Sequence, residues 1–124
     1  MKIGKMSSQC GLSPDTLRYY ERIGLIPPIT RDKNGIRDYS ELDVRRVEFI
    51  KCMRSAGLPI DVLIEYYGLV QQGDQTIEAR QEILREQRER LIVRIAQMQE
   101  TLDLLDYKIN VYQNLVLKAE KEII

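Results

Sequence analysis

Residues 13–28 read SPDTLRYYERIGLIPP, and this stretch decides the fold. Ser13 is a strong N-cap, and Pro14 at the first helical position loses nothing, since its missing N–H would lack an intrahelical partner anyway. The helix runs from Pro14 to about Ile23 and stops at Gly24. Pro27-Pro28 then forces extended backbone. Upstream, Lys2–Lys5 reads as one short strand or an extended lead-in, and Met6–Cys10 as a short helix closed by Gly11. Two short helices joined by Gly11-Leu12-Ser13 make a helix-turn-helix. Leu17 faces inward near Leu12 and Ile23. Asp15, Thr16, Tyr19 and Arg22 take the outer face, with Arg18 and Tyr20 at its flanks.

Downstream, Ile29–Lys33 and Ile36–Tyr39 flank Asn34-Gly35. Asn-Gly is the strongest short hairpin signal, because both central residues of a type I′ turn need positive φ. A small two-stranded ribbon carrying Arg31, Lys33 and Arg37 is expected. Ser40 followed by Asp43 resembles a capping box and starts a third helix to about Ala56, with Val47, Phe49, Ile50 and Met53 on its apolar side. Gly57 ends that helix. Pro59 starts a fourth, which runs through about Gln72 and is closed by Gly73.

From Thr76 to about Lys118 there is no proline or glycine. Leu84, Leu91, Ile95, Met98, Leu102, Leu105, Ile109, Tyr112 and Val116 keep heptad spacing, although Gln81 and Arg88 weaken the seam near its start. A two-position stripe of this kind argues for a coiled coil. The helix is about 65 Å long at ~1.5 Å per residue, more than four small elements can cover. The expectation is a homodimer; the alternative is a helix folded back on its own domain. The fold class is mainly α: a winged helix-turn-helix domain over residues 1–73, then a coiled-coil dimerisation helix and short tail over residues 74–124.

Charges cancel, with 19 basic and 19 acidic residues. They are not evenly placed: residues 1–60 hold 11 basic and 7 acidic side chains, residues 61–124 hold 8 and 12. Only the front half is suited to a polyanion. There is no histidine, which removes the commonest general base and the commonest metal ligand. With no phosphate-cradling glycine loop and no convergent carboxylate pattern either, the chain does not read as an enzyme. No long apolar run marks a targeting or membrane segment, so a cytoplasmic protein with no membrane partner is expected. Cys10 and Cys52 are then expected as thiols.

In a major groove, the outer face of the second helix offers hydroxyls and guanidinium groups to phosphates and base edges. A tyrosine suits this place because its ring packs while its hydroxyl reaches outward. The same residues taken alone also describe an aromatic core with surface arginines. A following basic ribbon completes the winged-helix arrangement and can lie along the backbone or in the minor groove.

The run TLRYYERIGLIPP, the ribbon with NGIRDY, and SELDVRRVEFIKCMRSAGLPI resemble the MerR family of bacterial transcription regulators over nearly the whole chain. Two positions depart from the family pattern: Ile36 replaces a wing tyrosine, and Pro59 replaces a small polar residue before the fourth helix. The resemblance implies a dimer, joined through an antiparallel C-terminal helix, on a near-palindromic operator inside a promoter whose spacer is too long. Effector binding bends and untwists that double-stranded promoter DNA, so RNA polymerase is engaged indirectly. Thr16, Arg18, Tyr19 and Tyr20 match the family's recognition-helix contacts, and Arg37 and Tyr39 its wing contacts. Lys5 and Arg54 join them as phosphate contacts. No cofactor is implied.

Family metal sensors use cysteines at and beyond the start of the long helix, and here no cysteine follows Cys52. With the sequence ending at Ile124, the expectation is a small ligand between helices or a chemical switch. Cys52, between Lys51 and Arg54 in sequence, resembles the single thiol of the family's aldehyde- and electrophile-responsive branch; nearby cations raise the thiolate fraction. A buried apolar cysteine beside Phe49 and Met53 is the alternative. Tyr66, Tyr67, Tyr107 and Tyr112 form a weaker effector-pocket candidate or a plain core. Rival functions are a coiled-coil adaptor, which would show no salt-dependent DNA binding, and an architectural DNA-binding protein without an effector switch.

Overall fold

The computed structural model describes residues 1–123; of Val116, Leu117 and residues 119–123 it describes the backbone alone, so the last seam position falls outside the described side chains. Five helices follow one another: α1 (Ile3–Cys10), α2 (Pro14–Arg22), α3 (Glu41–Ser55), α4 (Ile60–Gln72) and α5 (Ile77–Ile123), with a 3₁₀ turn at Asp74–Thr76. The chain divides into a head, Met1–Arg85, and a tail, Glu86–Ile124.

In the head, Met6 and Cys10, one helical turn apart, bury the inner side of α1. The Lys2–Lys5 segment is a correction: the helix already begins at Ile3, closed by the Met6 N–H to Lys2 carbonyl bond at 3.0 Å. Gly11 ends α1 at φ +71°, its N–H donating to the Ser7 carbonyl at 2.9 Å. A Cβ there would also lie 2.9 Å from Lys51 Nζ, which donates to the Cys10 carbonyl at 2.6 Å. The positive φ is what calls for glycine at this turn, and a side chain there would also displace the Lys51 ammonium. Ser13 caps α2 as expected, accepting from the Thr16 N–H at 3.1 Å. Leu17, Leu25, Val47 and Ile50 join Met6 as fully enclosed core.

The ribbon also differs from expectation. One antiparallel bridge, Arg31 to Arg37, replaces a two-stranded ladder. Gly35 has φ +78° but Asn34 does not have positive φ, so the tip is not a type I′ turn. Asp32 explains the change. Its Oδ1 accepts from the Asn34 N–H at 2.8 Å and the Ile36 N–H at 3.0 Å, and its carbonyl accepts from the Gly35 N–H at 3.0 Å. An aspartate turn sets this tip, because a side-chain acceptor outcompetes the ladder for those donors.

Ser40 and Asp43 form a reciprocal capping box at the start of α3, with bonds of 3.1 and 2.8 Å. Pro59 precedes α4 with no side-chain cap. Phe49 of α3 meets Tyr66 and Tyr67 of α4 with ring centroids 6.2 and 6.3 Å apart. Burial pushes the Tyr67 phenol up to about 12. The end of α4 is held by Thr76, whose hydroxyl lies 2.7 Å from both the Leu69 and the Gly73 carbonyls.

The tail is one continuous stretch of α5. Ile95, Met98, Leu102, Leu105, Ile109 and Tyr112 are each 50–64% exposed. Ile92, Val93, Leu104, Tyr107 and Leu115 are exposed as well and lie off the heptad seam, so the apolar surface is wider than a two-position stripe.

Candidate nucleic-acid interface

The α2 face is built from its cap outward. The Ser13 hydroxyl fixes the Thr16 amide and lies 2.9 Å from the Thr16 hydroxyl, so Thr16 is half-buried but oriented. Arg18 Nη1 donates to Asp15 Oδ1 at 3.0 Å, an exposed i,i+3 pair. Such pairs contribute about 0–1 kcal/mol, so Arg18 can exchange its carboxylate for a phosphate at little cost. The Arg22 guanidinium stands 5.3 Å from the centre of the Tyr19 ring, and Tyr19 is 41% exposed. That contact orders two exposed side chains on one face.

Tyr20 and Tyr39 are placed differently. Tyr20 is buried against the core, while its carbonyl accepts from the Leu25 and Ile26 amides at 2.9 and 3.2 Å and so turns the chain after α2. Tyr39 is 3% exposed, and its hydroxyl is enclosed without a hydrogen-bond partner. Desolvation raises its pKa, and the charges of Arg37 and Glu21 lie within reach of it.

The wing is joined to α2 by Glu21, which the TLRYYERIGLIPP run contains without assigning it a role. Glu21 Oε1 accepts from Arg37 Nε at 2.7 Å, and Glu21 Oε2 accepts from the Ile29 N–H at 3.2 Å. Arg37 is therefore brought to the end of α2, beside the helix that carries Thr16, Arg18 and Tyr19. The wing tip is held by Lys2, whose Nζ lies 2.6 Å from Asp32 Oδ2. The Lys2 bond first, then the Ile36 amide, lower the Asp32 carboxyl to about 2. An aspartate two residues before Asn-Gly is a legible signal for this turn; a glutamate 16 positions from its arginine is not.

Lys5 is exposed on α1, outside any bond to the α2 face. Arg54 is also exposed, and its Nη1 donates to the Leu58 carbonyl at 2.8 Å, closing the α3–α4 turn. Cys52 is exposed and Cys10 buried, which removes the packed-cysteine alternative for Cys52. The flanking cations do not face its thiol: Lys51 reaches the Cys10 carbonyl and Arg54 the Leu58 carbonyl. Among the described residues, no group of three or more His, Cys, Asp or Glu side chains converges to hold a metal ion, and no helix is long and apolar enough to cross a membrane.

Comparison with known proteins agrees with this geometry. The family model for MerR HTH regulatory proteins matches residues 1–67, and that for MerR DNA-binding segments matches residues 44–107. The HTH-type transcriptional regulator AdhR of Bacillus subtilis (strain 168) is 58% identical over 92 residues, 74% of this chain. The match spans 66% of that relative's length, just under two thirds. A crystal structure from Listeria monocytogenes, assigned to the MerR family of transcriptional regulators, superposes with a TM-score of 0.94 at 47% identity, covering 99% of this chain and 93% of that one. HiNmlR, a MerR family regulator lacking the sensor domain and bound to promoter DNA, superposes with a TM-score of 0.85 at 30% identity, covering 91% and 90%. These relatives are transcriptional regulators rather than enzymes, and the chain belongs to the MerR family of helix-turn-helix transcription regulators.

Proposed function

We propose that this regulator grips a palindromic promoter element as a homodimer in the cytoplasm and switches transcription by distorting that DNA. One observation carries the reading: a capped α2 presents Thr16, Arg18 and Tyr19 beside a wing fixed to the same helix by Glu21. Thr16, Arg18 and Tyr19 read or clamp the major groove, and Arg37 meets the flanking backbone. Lys5 and Arg54 add phosphate contacts from α1 and from the α3–α4 turn. Tyr20 and Tyr39 support these groups from inside the head. The exposed tail seam pairs with a second copy, which sets two heads on successive turns of the duplex, about 34 Å apart. A relative of the same architecture bound to promoter DNA supports the reading.

The switch resides in DNA deformation, which costs on the order of 1–6 kcal/mol and can be tipped by a modest bias in the protein. RNA polymerase then responds to the reshaped promoter rather than to a direct contact. The exposed Cys52 is the sensing group. Its thiolate attacks the carbonyl carbon of an aldehyde, forming an S–C bond, while the carbonyl oxygen takes a proton from water. The added bulk on α3 shifts the helices that carry the wing and the tail.

Selection of bound duplexes from random DNA, followed by sedimentation of the complex, tests the reading. Two protomers per palindrome, with affinity falling by a log–log salt slope of about −0.9 per neutralised phosphate, are expected. A lone subunit without preference for palindromes would overturn it. For the thiol, a Cys52→Ser protein that answers aldehydes normally in a promoter assay removes Cys52 as sensor.

A further inference from the structure

Glu21 is an anomaly on a surface read as meeting DNA. A carboxylate beside a polyanion repels it, and an arginine paired with that carboxylate has its charge offset. Yet the Glu21 carboxylate is fully committed within the head. One oxygen takes the Arg37 Nε–H at 2.7 Å, and the other takes the Ile29 N–H at 3.2 Å. The Arg37 and Glu21 side chains are 23% and 14% exposed, so the pair is largely shielded from water. Ile29 lies on the segment entering the wing and Arg37 on the segment returning from it. A single carboxylate at the end of α2 therefore pins both sides of the wing. The bond occupies Arg37 Nε and leaves the terminal NH₂ groups of the fork for an outside anion.

We infer that Glu21 is a positioning residue for DNA binding, acting through Arg37: it fixes the guanidinium and the wing so that the terminal nitrogens meet a backbone phosphate. The inference rests on the wing contact proposed above and deepens it. A hydrogen bond to a charged group is about twice as strong as a neutral one and is directional, so the pair trades some net charge for orientation. Tyr39, two residues past Arg37, has a buried, unpartnered hydroxyl on which the charges of both groups act.

The sign of one substitution separates the alternatives. If Glu21 were an incidental surface charge, Glu21→Gln would tighten DNA binding by removing repulsion. If it positions Arg37, the same substitution weakens binding although a negative charge has gone. The experiment uses the full chain and the palindromic duplex recovered by selection, with affinity read by fluorescence anisotropy over a series of KCl concentrations. Wild type, Glu21→Gln, Arg37→Ala and the double variant are compared. Glu21→Gln keeps an acceptor for the Ile29 amide and is expected to bind roughly tenfold more weakly. Its salt slope should become shallower by about 1.8 for the dimer, because one phosphate per head, two per complex, is no longer neutralised at about 0.9 each. Arg37→Ala should lose the same slope and bind at least as weakly, since it leaves the Glu21 carboxylate unpaired beside the duplex, and the double variant should fall no further than Arg37→Ala. The slope does not depend on the active fraction, so a variant that merely folds poorly would not mimic this result. Unchanged or tighter binding by Glu21→Gln, with Arg37→Ala weakened, overturns the inference and leaves the wing contact standing. An Arg37→Ala protein of unchanged affinity and slope removes the wing contact itself, and the inference with it.

Discussion

The head satisfies itself and the tail does not. In Met1–Arg85, apolar side chains from α1 through α4 enclose one another, and polar links tie distant segments: Glu21 to the wing, Lys51 to α1, Thr76 to the end of α4. Among the described residues of the tail, α5 runs on through Ile123, yet six seam side chains stay at least half exposed. Large apolar surface left in water is characteristic of an unfinished interface. One region is enclosed by its own neighbours in space; the other leaves exposed the seam that the proposed pairing covers. The proposed function follows that split: the head carries the groups assigned to DNA, and the tail carries the seam assigned to pairing.

The harshest way to break the comparison is to charge the seam. Leu102→Lys with Leu105→Lys places ammonium groups on the stripe and leaves every head contact intact. The variant should sediment as a monomer. Its affinity for a palindromic duplex should fall by a factor of about 100 or more, because joining two sites raises avidity by roughly 10²–10⁴. Unchanged mass and affinity would mean that the seam serves something other than pairing. The converse break is inside the head. Leu17 is fully enclosed under α2, and Leu17→Ala should cost about 2–5 kcal/mol in urea unfolding. If the two regions are separable, this loss leaves the tail's self-association unchanged.

How much of this is legible in the sequence depends on how far each residue's partner lies. The caps at Ser13 and Ser40 are read within three residues, and the structure holds both. The seam is read by period alone, and its side chains stand open to a partner. The ribbon misleads because Asn34-Gly35 signals a hairpin by itself, whereas the Asp32 carboxylate captures two amides and resets the turn. The burial of Tyr20 is not legible because helix phase gives a direction but not a depth, and that of Tyr39 because its wing role comes from the family resemblance alone. Glu21 stands in the TLRYYERIGLIPP run, but its role is invisible, since nothing local links it to Arg37 or Ile29. Lys51 and Arg54 adjoin Cys52 in sequence, but both are drawn away to backbone carbonyls, which only tertiary structure reveals.

A gentler probe uses the aromatic cluster of the head. Tyr67 is buried against Phe49 and Tyr66, with its folded pKa raised to about 12 from an ordinary value of 10.0. The sign is fixed by linkage. The unfolded phenol ionises above about 10 while the folded one stays neutral, so stability present below that pH is lost as pH climbs toward 12. The loss is on the order of 2 kcal/mol. Tyr67→Phe should flatten the alkaline limb of the head's unfolding curve between pH 10 and 12. An identical limb in the variant would place the responsible group elsewhere.

The smallest expected effect compares two helix starts within the head. Ser40 and Asp43 cap α3 reciprocally, whereas Pro59 offers α4 no side-chain acceptor. Ser40→Ala leaves the Asp43 amide without its acceptor and should cost about 1 kcal/mol, a shift of roughly 4–8 °C in Tm for a unit of this size. Pro59→Ser supplies the missing acceptor and should recover a similar amount, provided the extended backbone at φ −63° and ψ 144° is kept. Because α3 starts directly after the wing, Ser40→Ala should also loosen the wing and weaken DNA binding slightly. Pro59→Ser acts one helix later and should leave affinity alone. Equal effects on Tm with unequal effects on affinity would locate the mechanical link between head stability and DNA grip at the start of α3.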